Sequence, residues 1–233
     1  MLSVHTGFDY DITVLYPENF DDTKKYQTVY FLDGKNYQNE FFSIINSKYR
    51  KNVVLVSVSY KNRDERDTDF TFPEHKKDFP MGGSVGYGGA NKFILFFKDE
   101  LVPHIEVDLK IKPIERSIYG HSLGGYFCLY AMLQDQIESP FDNYIAVSTS
   151  LFYGDSYLFD LEQEYFLKND SLSTKLYFGT GDLEATAQFI AFRDILENRG
   201  YGDFKIKTEL INKSGHNNTQ STGFINGLNF ILK

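Results

Sequence analysis

The 233 residues suit one α/β domain with a full core and leave too little chain for two comfortable ones. With 42% hydrophobic and 24% charged residues, and with 22 Phe and 17 Tyr, the chain is composed to fold around an aromatic core and not to stay disordered. Its net charge of -8 argues against nucleic acid or an anionic membrane as partner, because both call for a basic surface.

In chain order, residues 8–16 alternate Tyr10, Ile12, Val14 and Tyr16 against polar neighbours, which is the period of a strand with one buried face. A polar turn over 17–25 follows. Residues 28–32 form a continuous apolar run ending at Asp33-Gly34, as expected of a strand buried on both sides. A helical pattern over 36–47 and a second central strand over 52–60 complete a strand, helix, strand unit. Residues 61–89 are long and irregular, with Arg63, Arg66, Asp67 and Asp69 in a cluster and glycines at 82, 83, 86, 88 and 89. Long segments of this kind in compact domains are usually functional, so this one is expected at the substrate entrance.

A helix over 90–105 presents Phe93, Phe96, Phe97 and Leu101 on one side and tolerates Pro103 near its end. Strands are then expected at 116–119, 143–148, 175–180 and 204–210, with helices at 126–133, 185–199 and 220–232. Alternating strands and helices imply an α/β fold with a mostly parallel sheet covered on both faces and catalytic groups at the carboxyl ends of the strands. No N-terminal signal pattern and no run long enough to span a bilayer occur, and the single Cys128 forms no internal disulfide. The expectation is a cytoplasmic protein, although a processed secreted form would read the same.

The most informative stretch is Gly120-His121-Ser122-Leu123-Gly124-Gly125, where an apolar strand stops at a serine between glycines and an apolar helix begins. This is the sequence form of a nucleophile elbow, in which the serine oxygen is exposed at a helix N-terminus. A serine needs an adjacent base, itself oriented by a third group. Of the five histidines, His5, His75 and His104 lie in the N-terminal segment, the irregular loop and a helix end. His121 sits inside the elbow with its side chain expected to point away from Ser122. His216 is left, in a polar loop beyond the last strand, where this fold carries its base. The acid belongs on the loop after the preceding strand, and Gly179-Thr180-Gly181-Asp182-Leu183-Glu184 supplies two carboxylates there. Spacing alone does not choose between Glu184 and Asp182; Glu184 is preferred because a strand running through Thr180 leaves Gly181 at the turn. No two histidines stand at metal-ligand spacing on a predicted helix, so neither a metal nor another cofactor is expected.

The chain resembles the Putative esterase family of α/β-hydrolases, a group that includes siderophore esterases of the enterobactin and bacillibactin type, feruloyl esterases, S-formylglutathione hydrolases and mycolyltransferases. The resemblance rests on the elbow and on Phe8-Asp9-Tyr10-Asp11-Ile12, Phe31-Leu32-Asp33-Gly34, Arg66-Asp67-Thr68-Asp69-Phe70 and Gly88-Gly89-Ala90-Asn91-Lys92-Phe93. Ser148-Thr149-Ser150-Leu151-Phe152-Tyr153 is similar to the family's Ser-Pro-Ser segment, with Thr149 in place of the proline. The resemblance implies an oxyanion hole made by the backbone N–H groups of Leu123 and Lys35, and an arginine-bearing loop at the pocket that marks Arg66 as substrate-binding. It also implies a serine carboxylic-ester hydrolase acting through an acyl-enzyme on a small-molecule ester, of siderophore or aryl and feruloyl type. An acyltransferase and a non-catalytic binding member of the same fold are the alternatives, and oligomeric state is not legible.

Overall fold

The computed structural model describes residues 1–62, 65–75, 88–134 and 138–233. Its centre is a seven-stranded sheet in the order β1-β3-β2-β4-β5-β6-β7. The strands are β1 (Tyr10–Leu15), β2 (Lys25–Phe31), β3 (Val53–Tyr60), β4 (Lys112–His121), β5 (Asn143–Val147), β6 (Ser171–Gly181) and β7 (Gly202–Ile211). Only β1 runs antiparallel, pairing with β3 from Tyr10 opposite Tyr60 to Leu15 opposite Leu55, while the other pairings are parallel. The apolar runs read as central strands, β2 and β3, are buried almost throughout. β1, with its alternating pattern, lies at the edge and buries Tyr10.

Because successive strand residues face opposite sides, β2 sends Tyr30 to one apolar layer and Val29 and Phe31 to the other. The layer around Val29 and Phe31 is closed by α1 (Gly34–Lys48) and α7 (Gln220–Ile231), where Phe41 and Phe224 stack with ring centroids 3.9 Å apart. The opposite layer takes α3 (Ala90–Leu95), α4 (Leu123–Met132) and α6 (Ala187–Asn198) through buried Phe93, Phe127 and Phe192. Full burial of one such side chain stabilises by roughly 1.5–3 kcal/mol, and two covered faces supply many of them.

Two elements depart from the expected pattern. The helix expected over 90–105 is α-helical only to Leu95 and continues as π-helical turns at Phe96–Leu101 and His104–Asp108. Pro103 between them has no N–H to donate and its ring crowds the carbonyl one turn back, so the ladder widens instead of continuing. The aromatic stripe survives, with Phe93, Phe96, Phe97 and Leu101 all buried. A helix not anticipated from the sequence, α5 (Tyr153–Phe166), begins with Gly154, Asp155 and Ser156 at φ of 62°, 55° and 71°. A left-handed start hides the usual N-terminal signature. The remaining short helix, α2 (Arg66–Asp69), lies within the irregular segment.

Candidate active site

The carboxyl ends of β4, β5, β6 and β7 meet at Ser122. β4 ends at His121 and α4 starts at Leu123, so the whole reversal falls on Ser122, held at φ 60° and ψ −118°. A β-carbon on Gly120 would lie 2.0 Å from the Gly124 carbonyl oxygen, so the turn closes only with glycine there. Ser122 N–H donates to Val147 O at 3.0 Å, and its carbonyl accepts from Tyr126 N–H at 3.0 Å and Ser150 N–H at 3.2 Å. Those bonds hold the serine in backbone geometry that an unsupported residue would avoid.

His216 stands in the loop after β7 with Nε2 3.1 Å from Ser122 Oγ and Nδ1 2.8 Å from Glu184 Oε2. The other carboxylate oxygen, Oε1, accepts from Ser148 Oγ at 2.6 Å, Gly181 N–H at 2.8 Å and Thr180 Oγ1 at 3.1 Å. Burial pushes the Glu184 carboxyl up, but the bonds from His216, Ser148 and Gly181 outweigh it and hold it at about 2. Glu184 is therefore an anion at neutral pH.

Asp182 lies in the same turn but is exposed and faces the other way. Its Oδ1 accepts from Ser214 N–H at 3.1 Å, its own N–H donates to Ile211 O at 3.1 Å, and Leu183 N–H donates to Ser214 O at 3.0 Å. These bonds fasten the loop that carries His216 to the loop that carries Glu184. Gly181 sits between them, where a β-carbon would lie 2.0 Å from Ser214 O.

His121, expected to point away from Ser122, packs against His216. Its buried ring lies 4.7 Å from the His216 ring, and Nε2 is 2.8 Å from the His216 carbonyl oxygen, which also accepts from Gln220 Nε2 at 3.2 Å. Burial, with His216 beside it, brings the His121 imidazole down to about 4. The neutral ring donates through Nε2–H to that carbonyl. Nothing in the local sequence announces this contact, nor the hydroxyls of Ser148 and Ser150; only similarity of the Ser148–Ser150 segment to a family motif marked that stretch.

Leu123 is the first residue of α4 and Lys35 the second of α1, where backbone N–H groups have no intrahelical acceptor. The two helix starts are adjacent: a β-carbon on Gly124 would lie 3.6 Å from both Asp33 Oδ2 and Leu32 Cβ. Asp33 turns the chain into α1 with φ 57° and is held from outside by Arg66, whose Nε and Nη2 each donate to it at 3.0 Å. The Arg66 guanidinium, which the resemblance marks as substrate-binding, is thus engaged by the Asp33 carboxylate. Arg63 and residues 76–87 of the irregular segment lie outside the described residues.

Ser122, His216, Glu184 and Arg66 open on a cavity of about 530 Å³. Its other wall is apolar, with Leu151 and Phe189 buried and Phe152 and Leu183 exposed at the rim. A hydroxyl, an imidazole and a carboxylate in sequence beside an apolar cavity can activate the hydroxyl for attack on a carbon electrophile.

Comparison with known proteins places the chain in a family. The family model described as "Putative esterase" matches residues 3–175. The ferri-bacillibactin esterase BesA of Bacillus subtilis is 25% identical over 201 residues, covering 79% of this chain and 69% of that protein. Three further siderophore esterases match, of whose length the chain spans about half. Among solved structures, the BES protein from Bacillus cereus superposes with a TM-score of 0.82 at 24% identity, covering 99% of this chain and 93% of that one. An IroE-like serine hydrolase from Shewanella oneidensis gives 0.83 at 21% identity, covering 97% and 77%. At such identities these structures speak for the fold. Among the described residues no helix is long and apolar enough to cross a membrane.

Proposed function

Since the chain belongs to the Putative esterase family and has the fold of an α/β-hydrolase esterase, we propose that it hydrolyses carboxylic esters through Ser122 as nucleophile, His216 as base and Glu184 as the acid of the triad. The observation that carries this reading is the unbroken hydrogen-bonded path from Glu184 through His216 to Ser122 at the mouth of the cavity. Glu184 accepts from His216 Nδ1–H and so leaves Nε2 free of a proton and facing the serine. As Ser122 Oγ attacks the ester carbonyl, its proton passes to Nε2. The carbonyl oxygen takes the electron pair and is received by the N–H groups of Leu123 and Lys35, fixed in advance by two helix starts. The intermediate expels the alcohol, which collects the proton from His216. Water, activated by the same imidazole, then releases the acid from Ser122. Asp182, the other candidate acid from the sequence, takes the part of a loop fastener in this scheme.

We assign Arg66 to the substrate side as cavity wall and as the clamp on Asp33, which precedes the Lys35 N–H. The apolar wall of Leu151, Phe152, Leu183 and Phe189 suits an aryl or other apolar acyl group. Relatives named as esterases of bacillibactin, enterobactin and salmochelin make siderophore-type esters the first substrates to test. We place the protein in the cytoplasm, the compartment the sequence leads us to expect. Purified protein and Ser122→Ala are to be compared on 4-nitrophenyl esters, feruloyl esters, S-formylglutathione and catecholate trilactones. The reading expects turnover of at least one oxygen ester to fall by about 10⁴-fold or more in the variant, at unchanged thermal stability. Turnover surviving in Ser122→Ala would dismiss it.

A further inference from the structure

We propose that Ser150 is a catalytic residue: its hydroxyl donates a hydrogen bond to Ser122 Oγ and stabilises the negative charge on that oxygen, both as it attacks the ester and as it leaves the acyl-enzyme. The inference rests on the serine-esterase reading above.

The Ser150 and Ser122 hydroxyl oxygens lie 3.2 Å apart, and Ser150 is 5% exposed. Its backbone is pinned on both sides, N–H to Ser122 O at 3.2 Å and carbonyl to Tyr153 N–H at 3.1 Å. Upstream, Ser148 turns the chain at φ 46° as it leaves β5 and gives its own hydroxyl to Glu184. One short turn therefore serves both ends of the Glu184–His216–Ser122 path.

The direction of the Ser150 bond follows from counting protons. Ser122 has a single hydroxyl hydrogen and two neighbours able to accept it, His216 Nε2 at 3.1 Å and Ser150 Oγ at 3.2 Å. The imidazole nitrogen is by far the stronger base. Ser122 therefore donates to His216, and Ser150 donates to Ser122.

The length of the bond gives it its catalytic sense. Hydroxyl pairs typically sit at about 2.7–2.8 Å, so 3.2 Å is a weak contact while Ser122 is neutral. Hydroxyl donors to an anionic oxygen shorten to about 2.5–2.7 Å and strengthen roughly twofold. An interaction stronger in the transition state than in the ground state is the kind that raises turnover. In acylation the Oγ–C bond forms, the Oγ–H bond breaks and its proton goes to His216. In deacylation water adds to the carbonyl carbon and gives a proton to His216; the C–Oγ bond then breaks, its electron pair stays on Oγ, and Oγ recovers a proton from His216. Ser150 keeps its own proton throughout and meets a charged Oγ in both steps.

The test is rapid mixing with 4-nitrophenyl acetate, which resolves an acylation burst from steady-state deacylation, on the wild type, Ser150→Ala and Ser150→Thr. Loss of the hydroxyl is expected to slow both constants by about tenfold. kcat then falls while KM stays within about twofold, and the threonine hydroxyl keeps both constants within about threefold of wild type. If Ser150→Ala fails to fold, Ser150→Cys carries the same comparison, its thiol being a weak donor. A fall in acylation with wild-type deacylation would mean that Ser150 only orients the resting serine, and this or an unchanged pair of constants overturns the proposal. Failure of the parent reading looks different: the wild type would then show no burst and no modification of Ser122 by diisopropyl fluorophosphate.

Discussion

Replacing Glu184 by glutamine changes one oxygen to an amide nitrogen, and the surroundings dictate where that nitrogen must go. At the Oε1 position the side chain meets three donors, of which Gly181 N–H at 2.8 Å is fixed backbone. An amide NH₂ cannot face that donor, so the amide oxygen takes this position and the NH₂ turns to His216 Nδ1, where Glu184 Oε2 stands at 2.8 Å. A donor there forces Nδ1 to accept, which puts the imidazole proton on Nε2, facing Ser122. The base then has no lone pair for the serine proton. A triad locked in this wrong tautomer loses roughly 10⁴ in kcat, or about 5 kcal/mol of transition-state stabilisation. Asp182→Asn keeps an oxygen for Ser214 N–H and is expected to stay within about threefold of wild type; Asp182→Ala gives up one partly exposed hydrogen bond, on the order of 1 kcal/mol of stability. The assay is kcat/KM on an activated aryl ester, with thermal melts to show that each variant is folded. If Glu184→Gln keeps more than a tenth of the activity, or if Asp182→Asn falls as far as Glu184→Gln, the assignment of the acid is refuted.

Three other expectations follow from groups near the site. Asp69 is buried, with only the hydroxyls of Tyr10 at 2.5 Å and Tyr60 at 2.9 Å on its carboxylate and no cation among the described residues. Burial pushes it up to about 7 from an ordinary 3.8, so the folded state holds a proton that the unfolded chain has lost. Its contribution is full below the unfolded value and is lost as pH rises towards 7, on the order of 4 kcal/mol in all; Asp69→Asn is expected to flatten urea-measured stability over that window, and an unchanged slope would assign it to other groups. Gly120→Ala forces a β-carbon to within 2.0 Å of Gly124 O and is expected to destabilise by about 3 kcal/mol or more, read as a melting temperature lower by about 6–12 °C; a wild-type melt would contradict the tight elbow. His121→Phe removes the donor to the His216 carbonyl while Gln220 still reaches it, so kcat should drop about tenfold with KM unchanged, and His121→Gln should recover most of the loss; equal changes in kcat and KM would argue against a role in placing His216.

Much of this was legible in the sequence because it depends on local pattern. The apolar runs became the central strands, the glycines around Ser122 became the elbow, and His216 was reached by its place after the last strand. The choice between Glu184 and Asp182 rests in the sequence on one inference alone, that a strand runs through Thr180 and leaves Gly181 at the turn, which favours Glu184. Both carboxylates lie in one turn, and what separates them is the approach of Ser214 to Gly181, a contact between loops 33 residues apart in sequence. Ser148, Ser150 and His121 escape for a related reason: the residue types of a strand and of the turn that follows it reveal which side is apolar, not which hydroxyl or imidazole will meet a neighbour from another loop. The departures in the fold were backbone effects, a left-handed start at Gly154 to Ser156 and the widening around Pro103, which binary patterning does not register.

The central claim is that Ser122 is a nucleophile activated by His216, and the most direct measurement is the rate and position of modification by diisopropyl fluorophosphate, followed by mass spectrometry of the digested protein. A single adduct is expected on the peptide containing Ser122, forming at least about 100-fold more slowly in His216→Ala, because an unactivated serine hydroxyl is a poor nucleophile. An adduct on another residue, or labelling of Ser122 at the wild-type rate in His216→Ala, would contradict it.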